Sequence, residues 1–193
     1  MKLHMYAAAI AVLGAAVAAH AGDIHGKVTG AKGASVVYID AIQGKSFPAP
    51  ADHPLMDQKG LMFQPHIMVV QQGTAVKFLN SDSVAHNVYW PSVNGDKKLG
   101  HNLGTWPQGA TREFTFTAAG VVPLFCNVHP DMSGYIVVSP TPYYATTNAA
   151  GEFTIKNVPD GSYSITAWHE GYKQQTSQVK VSGSTSLSLV VRK

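Results

Sequence analysis

The amino-acid sequence predicts an all-β protein. After the first 21 residues, no long segment repeats apolar residues every three to four positions, as an amphipathic helix would. Short stretches of alternating apolar and polar residues are instead separated by Gly, Pro, Asn and Asp. Of the 193 residues, 45% are hydrophobic and only 13% are charged, with 18 Gly and 11 Pro. This composition is typical of turn-rich β structure and is far from that of a disordered chain.

The first 21 residues are predicted to be a secretory signal peptide. Lys2 supplies a positive start, "YAAAIAVLGAAVAA" is apolar, and "AHA" at 19–21 fits a cleavage site before Gly22. The alternative is an uncleaved membrane anchor, but the apolar run is shorter than the roughly 20 residues that a span needs. No second segment of that length follows. The mature chain is therefore expected in the periplasm or outside the cell, without a membrane span.

The charge of the chain gives no argument for a nucleic-acid partner or an anionic membrane. The formal net charge is +3, and cleavage would remove only Lys2, which lowers it to +2. The sequence contains no run of Lys and Arg.

The first predicted elements lie between the signal segment and residue 80. "DIHGKVTG" and "ASVVYIDA" predict two strands joined by a Gly-rich turn as an N-terminal hairpin. The Pro-rich stretch at 46–54 predicts a linker or a crossing loop. "HIMVVQQGTAVKFLN" predicts a second hairpin, with Val69, Val76 and Phe78 in the core.

The remaining elements form two groups of strands. "TREFTFTAAG" places Phe114 and Phe116 on one face, and "VVPLFC" and "SGYIVV" predict two more strands. After "SPTPYY", alternation resumes through Phe153 and Ile155 and predicts a second β unit. Its length of about fifty residues is small for an independent core, so it is expected to use strands from elsewhere in the chain.

Cys126 is the only cysteine in the sequence. Exported proteins usually use cysteines in pairs, so an unpaired one needs an explanation. It must be buried as a small apolar residue, reactive, paired with another chain, or bound to a metal.

The residues around Cys126 favour a metal. His129 follows three positions later and Met132 three positions after that, so one tight loop can present thiolate, imidazole and thioether. Two His, one Cys and a distant Met form the site of blue-copper proteins. The second histidine must come from another strand, and His86 is the best candidate. Each of these residues alone is more simply explained by packing or surface exposure, whereas their order and spacing together favour copper.

"HNV" followed by "FCNVHPDM" resembles the cupredoxin family, and the C-x2-H-x2-M spacing is that of amicyanin. The upstream "MFQPHIMVVQQGTAVKFLNSD" is similar to another segment of that family, so the resemblance covers residues 53–140. It implies a Greek-key β-sandwich, the Ala85 carbonyl near one axial face, and an Asn87 N–H that donates to the Cys126 sulfur. It also implies four copper ligands, namely His86, Cys126, His129 and an axial Met132.

The C-terminal segment resembles a carboxypeptidase regulatory-like, transthyretin-like β-sandwich. That family normally opens with a strand-turn-strand similar to "IHGKVTGAKGASVVYIDA", which here precedes the copper unit. Residues 22–48 and 141–193 are therefore expected to form one sandwich, with residues 53–140 inserted. The alternative gives residues 23–48 to the cupredoxin itself. The domain order is similar to that of secreted proteins labelled methylamine-utilisation proteins.

The other histidines and motifs give no second site. His25, His53, His66, His101 and His169 are interpreted as surface or structural residues. The sequence has no C-x-x-C-H for haem, no second Cys for a dinuclear copper centre and no credible hydrolase motif. A thiol nucleophile would leave the neighbouring methionine without a role.

These features predict a blue-copper electron carrier and not an enzyme. A redox partner protein is expected to dock near His129, beside Pro130, at an apolar end of the domain. One alternative is a copper carrier or buffer that delivers the metal to a cuproenzyme. A weaker one is a sandwich unit that binds carbohydrate or protein through exposed aromatic residues such as Trp168 or Tyr172.

Overall fold

The computed structural model describes residues 20–193, and the predicted signal segment at 1–19 lies outside them. The described chain contains sixteen strands and one short 3-10 helix, Lys97–Leu99. The first eight strands are β1 (Ala21–Thr29), β2 (Ser35–Ile39), β3 (Leu55–Gln58), β4 (Phe63–Gln64), β5 (Ile67–Gln71), β6 (Ala75–Asn80), β7 (His86–Trp90) and β8 (His101–Trp106). The other eight are β9 (Thr111–Thr115), β10 (Gly120–Phe125), β11 (Ser133–Ser139), β12 (Tyr144–Thr146), β13 (Glu152–Pro159), β14 (Gly161–His169), β15 (Gln175–Val181) and β16 (Thr185–Val190). Within 20–193, no helix has the length and apolar character needed to cross a bilayer.

Four sheets build two sandwiches, which confirms the predicted all-β class. The sheets β5-β11-β10-β7-β8 and β4-β3-β6-β9 enclose one core that includes Phe78, Trp90 and Trp106. The sheets β13-β1-β16 and β12-β2-β14-β15 enclose a second core that includes Ile24 and Ile165. The Pro-rich stretch at 46–54 contains no strand, as predicted.

The predicted hairpin over "HIMVVQQGTAVKFLN" is wrong. β5 runs parallel to β11 in one sheet, whereas β6 pairs with β3 and β9 in the other. The connection at Gly73 therefore crosses from one sheet to the other. Val76 and Phe78 are buried in the core as predicted, but Val69 is not. Met68 and Val70 face the core instead, because successive side chains in a strand point to opposite faces.

The predicted N-terminal hairpin is also wrong. β1 lies between β13 and β16 in one sheet, and β2 lies between β12 and β14 in another. The two strands nevertheless contribute to the same core, since Ile24 of β1 and Val37 of β2 belong to one buried cluster.

An apolar seam joins the two sandwiches. Val137 of β11 packs with Val36, Tyr38 and Trp168, and the ring centroids of Tyr135 and Trp168 lie 5.1 Å apart. Trp168 is only 6% exposed, so it is not the surface aromatic residue that the carbohydrate hypothesis requires. The second sandwich covers the outer face of β11.

Tyr38 lies in this seam, and its burial is expected to make the protein less stable at alkaline pH. Burial, and secondarily the Asp40 carboxylate, raises the pKa of Tyr38 from 10.0 to about 12. The folded state favours the neutral phenol. The resulting contribution of Tyr38 to the free energy of unfolding is complete below pH 10 and is lost as the pH approaches 12. Between these pH values we expect the wild type to lose about 3 kcal/mol more unfolding free energy than Tyr38→Phe. Urea unfolding at each pH measures the difference, and equal losses would contradict it.

Candidate metal centre

The ends of two neighbouring strands bring the predicted ligands together. His86 is the first residue of β7, and Cys126 directly follows β10, which pairs with β7. His129 lies on the loop between β10 and β11, and Met132 is the last residue before β11. The site therefore combines one fixed strand position with one short loop.

Three donor atoms converge in a small volume. The Cys126 Sγ lies 3.9 Å from His86 Nδ1 and 3.7 Å from His129 Nδ1, and the two Nδ1 atoms are 3.0 Å apart. His86 is 0% exposed and Cys126 is 3% exposed, while His129 is half-buried. Within residues 20–193, this is the one group of three His, Cys, Asp or Glu side chains close enough together to hold a metal ion.

The donor set fits copper. A thiolate with two imidazoles is the combination that blue-copper sites use, and Cys126 has no disulfide partner. The ligand atoms of the three side chains all lie within 4.8 Å of one another, so a single metal ion could bind all of them.

Met132 lies at the base of the ligand loop. Its N–H donates to the His129 carbonyl at 3.0 Å and closes a turn through Pro130. The side chain is 2% exposed and packs in the core of the first sandwich. Axial ligation by Met132, and the position of the Ala85 carbonyl, stay predictions.

Asn87 braces the site through its backbone and its side chain. Its N–H donates to Cys126 Sγ at 3.4 Å, which confirms the contact that the resemblance implied. Its side-chain amide donates to Asn102 Oδ1 and to the Gly104 carbonyl, each at 2.8 Å. Its Oδ1 accepts the Asn127 N–H at 3.3 Å. One side chain thus ties β7 to β8 and to the ligand loop.

Asp82 contacts His86 on the side facing away from the other ligands, which sequence reasoning missed. The Asp82 Oδ2 lies 2.9 Å from His86 Nε2. Hydrogen bonds from the N–H of Leu61, and then from Gly60 and His86, lower the pKa of Asp82 from 3.8 to about 2. The spacing of four residues between Asp82 and His86 is the one sequence signal for this pair, and it is weak.

Four exposed apolar side chains lie on the turn and loops that carry Asp82, His86 and His129 or contact them. Leu61 and Met62 are 51% and 55% exposed, and Val84 and Val128 are also exposed. Val128 adjoins His129, and Val84 lies on the loop before β7. We refer to these four side chains as the apolar patch.

The remaining histidines lie apart from the metal centre. His66 Nε2 is 2.7 Å from Glu170 Oε2, and the buried His169 contacts two backbone carbonyls. His101 begins β8, where its exposed ring packs beside Trp90. The surface positions expected for His25 and His53 agree with their exposure.

Two solved structures of amicyanin variants are similar to this chain. A reduced variant has a TM-score of 0.42 and 22% identity, and the match covers 47% of this chain and 86% of that one. The Cu(I) form of another variant has a TM-score of 0.42 and 23% identity, with 53% of this chain and 98% of that one covered.

Two family models match the sequence in adjacent ranges. The model for copper binding proteins of the plastocyanin/azurin family matches residues 53–139. The model for the carboxypeptidase regulatory-like domain matches residues 134–192. The first range contains all four predicted ligands. Residues 53–139 are therefore similar to copper-binding proteins of the plastocyanin/azurin family, and residues 134–192 are similar to carboxypeptidase regulatory-like domains. We call the first sandwich the copper-binding domain and the second the regulatory-like sandwich.

Proposed function

We propose that this protein is a blue-copper electron carrier. In this proposal His86, Cys126 and His129 bind the metal, and Met132 is the weak axial ligand. The observation that carries it is the convergence of one buried thiol with two imidazole nitrogens, with separations of 3.0–3.9 Å. Bound copper supplies a one-electron couple, and its potential depends on the axial ligand and on hydrogen bonds to the Cys sulfur.

The chain's contribution is to hold these donors still. His86 begins β7 and Cys126 follows β10, and both strands belong to one sheet. The Asn87 side chain links that sheet to the ligand loop. Donors whose positions are fixed by packing and hydrogen bonds need little rearrangement when the metal changes charge. This supports an electron carrier over a protein that must open to release copper.

The apolar patch supports docking of a redox partner near His129. His129 is the half-buried ligand of the three, so its imidazole edge is the short path between the centre and solvent. Exposed apolar patches mark surfaces that bind other proteins. We infer that a partner protein covers Val128 and the neighbouring patch residues while an electron passes through His129.

The proposal makes the protein a carrier and not an enzyme, because one electron enters and leaves while no substrate bond changes. Its site of action would be the periplasm or the extracellular space, which rests on the pattern of the first 21 residues. A relation to proteins labelled methylamine-utilisation proteins, which the domain order suggested, stays a prediction.

We also propose that residues 22–48 and 141–193 form one regulatory-like sandwich into which residues 53–140 are inserted. The pairing of β1 with β13 and β16 supports this, as does the pairing of β2 with β12 and β14. No residue of 22–48 belongs to the core of the copper-binding domain among the described residues.

Copper loading followed by two rate measurements tests the function. Addition of Cu(II) to the metal-free protein should produce an intense thiolate-to-copper absorption in the visible range, and its absence would overturn the blue-copper assignment. Electron self-exchange should then be fast, and transfer of copper to a competing chelator should be slow. The opposite order of rates would favour the copper-delivery alternative.

Replacement of Met132 by leucine tests the axial ligand. We expect the reduction potential of Met132→Leu to rise, because loss of a weak sulfur donor disfavours the oxidised metal more than the reduced one. The absorption from Cys126 should survive, since exchange of Met for Leu usually costs less than about 1.5 kcal/mol of stability. Voltammetry gives the potential. Met56→Leu, a buried change in the same core, is the matched control, and equal shifts in both variants would exclude axial ligation.

A further inference from the structure

We propose that Asp82 is a positioning residue for the copper ligand His86. In this proposal Asp82 fixes which ring nitrogen of His86 carries the proton and keeps a negative charge next to the ring of this ligand. The inference rests on the proposed function in so far as His86 binds copper.

The first step concerns the charge of Asp82. Its Oδ1 accepts the Gly60 N–H at 2.7 Å, and its Oδ2 accepts the Leu61 N–H at 2.9 Å. Both oxygens therefore act as acceptors towards backbone donors, which is the behaviour of an ionised carboxylate. The Asp82 side chain is 17% exposed, so solvent screens this charge only in part.

The second step concerns the turn that holds Asp82. Gly60 and Leu61 both have left-handed backbone conformations, with φ of 64° and 59°. A positive φ is uncommon for a residue as bulky as leucine. Successive N–H groups in such a turn form a concave site for an anion, and here both donate to one carboxylate. The turn between β3 and β4 is thus shaped around Asp82.

The third step concerns the proton on His86. An ionised carboxylate can only accept, so the His86 Nε2, at 2.9 Å from Asp82 Oδ2, must carry a hydrogen. A neutral imidazole with its proton on Nε2 has a free lone pair on Nδ1. That atom faces Cys126 Sγ and His129 Nδ1. His86 is 0% exposed, so in the folded chain Asp82 is the acceptor that its Nε2 meets.

Asp82→Asn removes the charge and leaves an oxygen that can accept from His86. A nearby negative charge stabilises the oxidised metal more than the reduced one, by Coulomb attraction. We expect the ratio of Cu(II) to Cu(I) affinity to fall about tenfold, which for one electron raises the potential by about 59 mV. The absorption from Cys126 should survive in this variant.

Asp82→Ala removes both the charge and the acceptor. Loss of such an outer partner typically lowers metal affinity by about 10–100-fold, and we expect a loss in that range. In the metal-free protein, nitrogen NMR of the histidine rings should show Nε2–H alone for wild-type His86 and a mixture of tautomers for Asp82→Ala. A role in folding alone would not change the tautomer.

Asp131→Asn is the matched control, because it removes the same charge from an exposed side chain on the ligand loop. Solvent screens that charge, so its effect on the potential should be small. The proposal is overturned if Asp82→Asn and Asp131→Asn shift the potential equally, or if His86 in Asp82→Ala keeps the wild-type tautomer. Should Asp82→Ala fail to fold, the comparison of the two Asn variants decides.

The proposed function can fail separately from this inference. A wild-type protein without thiolate-to-copper absorption would refute the blue-copper carrier. The His86 tautomer in the metal-free wild type and Asp82→Ala would still show whether Asp82 sets it.

Discussion

Replacement of Cys126 by serine is expected to abolish the visible absorption of the copper-loaded protein. The absorption requires a thiolate bound to the metal, and a serine hydroxyl stays protonated and is a harder donor. Copper affinity should fall by more than the roughly 100-fold that loss of an outer-shell partner can cause. Spectra and competition with a copper chelator measure both effects.

The stability of the metal-free Cys126→Ser variant serves as the control. Serine is close in size to cysteine, and burial of its hydroxyl at this 3% exposed position costs about 1–3 kcal/mol. Thermal unfolding of the metal-free variant should therefore remain cooperative, which separates loss of a ligand from loss of the fold. A variant that keeps the wild-type absorption would show that Cys126 is not the ligand.

The convergence of three predicted ligands could be foreseen from the sequence because these residues are close in sequence or lie at strand ends. Cys126 and His129 are three residues apart on one loop, and His86 stands where an alternating segment begins. Asp82 could not be predicted in the same way. Its role depends on N–H groups of Gly60 and Leu61, which only the folded chain brings to its carboxylate.

Strand positions could be predicted, whereas strand partners could not. Alternation shows which side chains share a face, but it does not show which strand lies alongside. β5 and β6 were therefore expected to pair with each other, although each pairs in a different sheet. Val69 was assigned to the core for a different reason: residues 67–70 are all apolar, so alternation does not show which face of β5 meets the core, and Val69 packs against the seam.

Burial on both faces of β11 also escapes sequence analysis. Ile136 and Val138 face the core of the copper-binding domain, while Val137 faces the seam. Such a strand has a nearly continuous apolar run, which by itself does not reveal what covers the second face. The cover comes from β2 and β14, which are far away in sequence.

Replacement of Ile24 by alanine is expected to destabilise the regulatory-like sandwich and to spare the copper centre. Ile24 is fully buried on the central strand β1, where it packs with residues of β13 and β14. A change from Ile to Ala in such a core costs about 2–5 kcal/mol. Native-state hydrogen exchange should therefore accelerate in β13 to β16 and change little in β7 and β10. The visible absorption of the copper-loaded protein then serves as a local reporter of the copper-binding domain during heating.

Two substitutions of the same type calibrate the Ile24→Ala result. Ile155→Ala removes the same volume from the same core through β13, so it should accelerate exchange in the same strands. Ile136→Ala acts in the core of the copper-binding domain, so it should accelerate exchange in β7 and β10 and lower the temperature at which the absorption is lost. If the copper-binding domain is inserted, Ile24→Ala and Ile155→Ala should accelerate hydrogen exchange in the same strands. If Ile24→Ala instead matches Ile136→Ala, residues 22–48 belong to the copper-binding domain and the two domains follow each other in sequence.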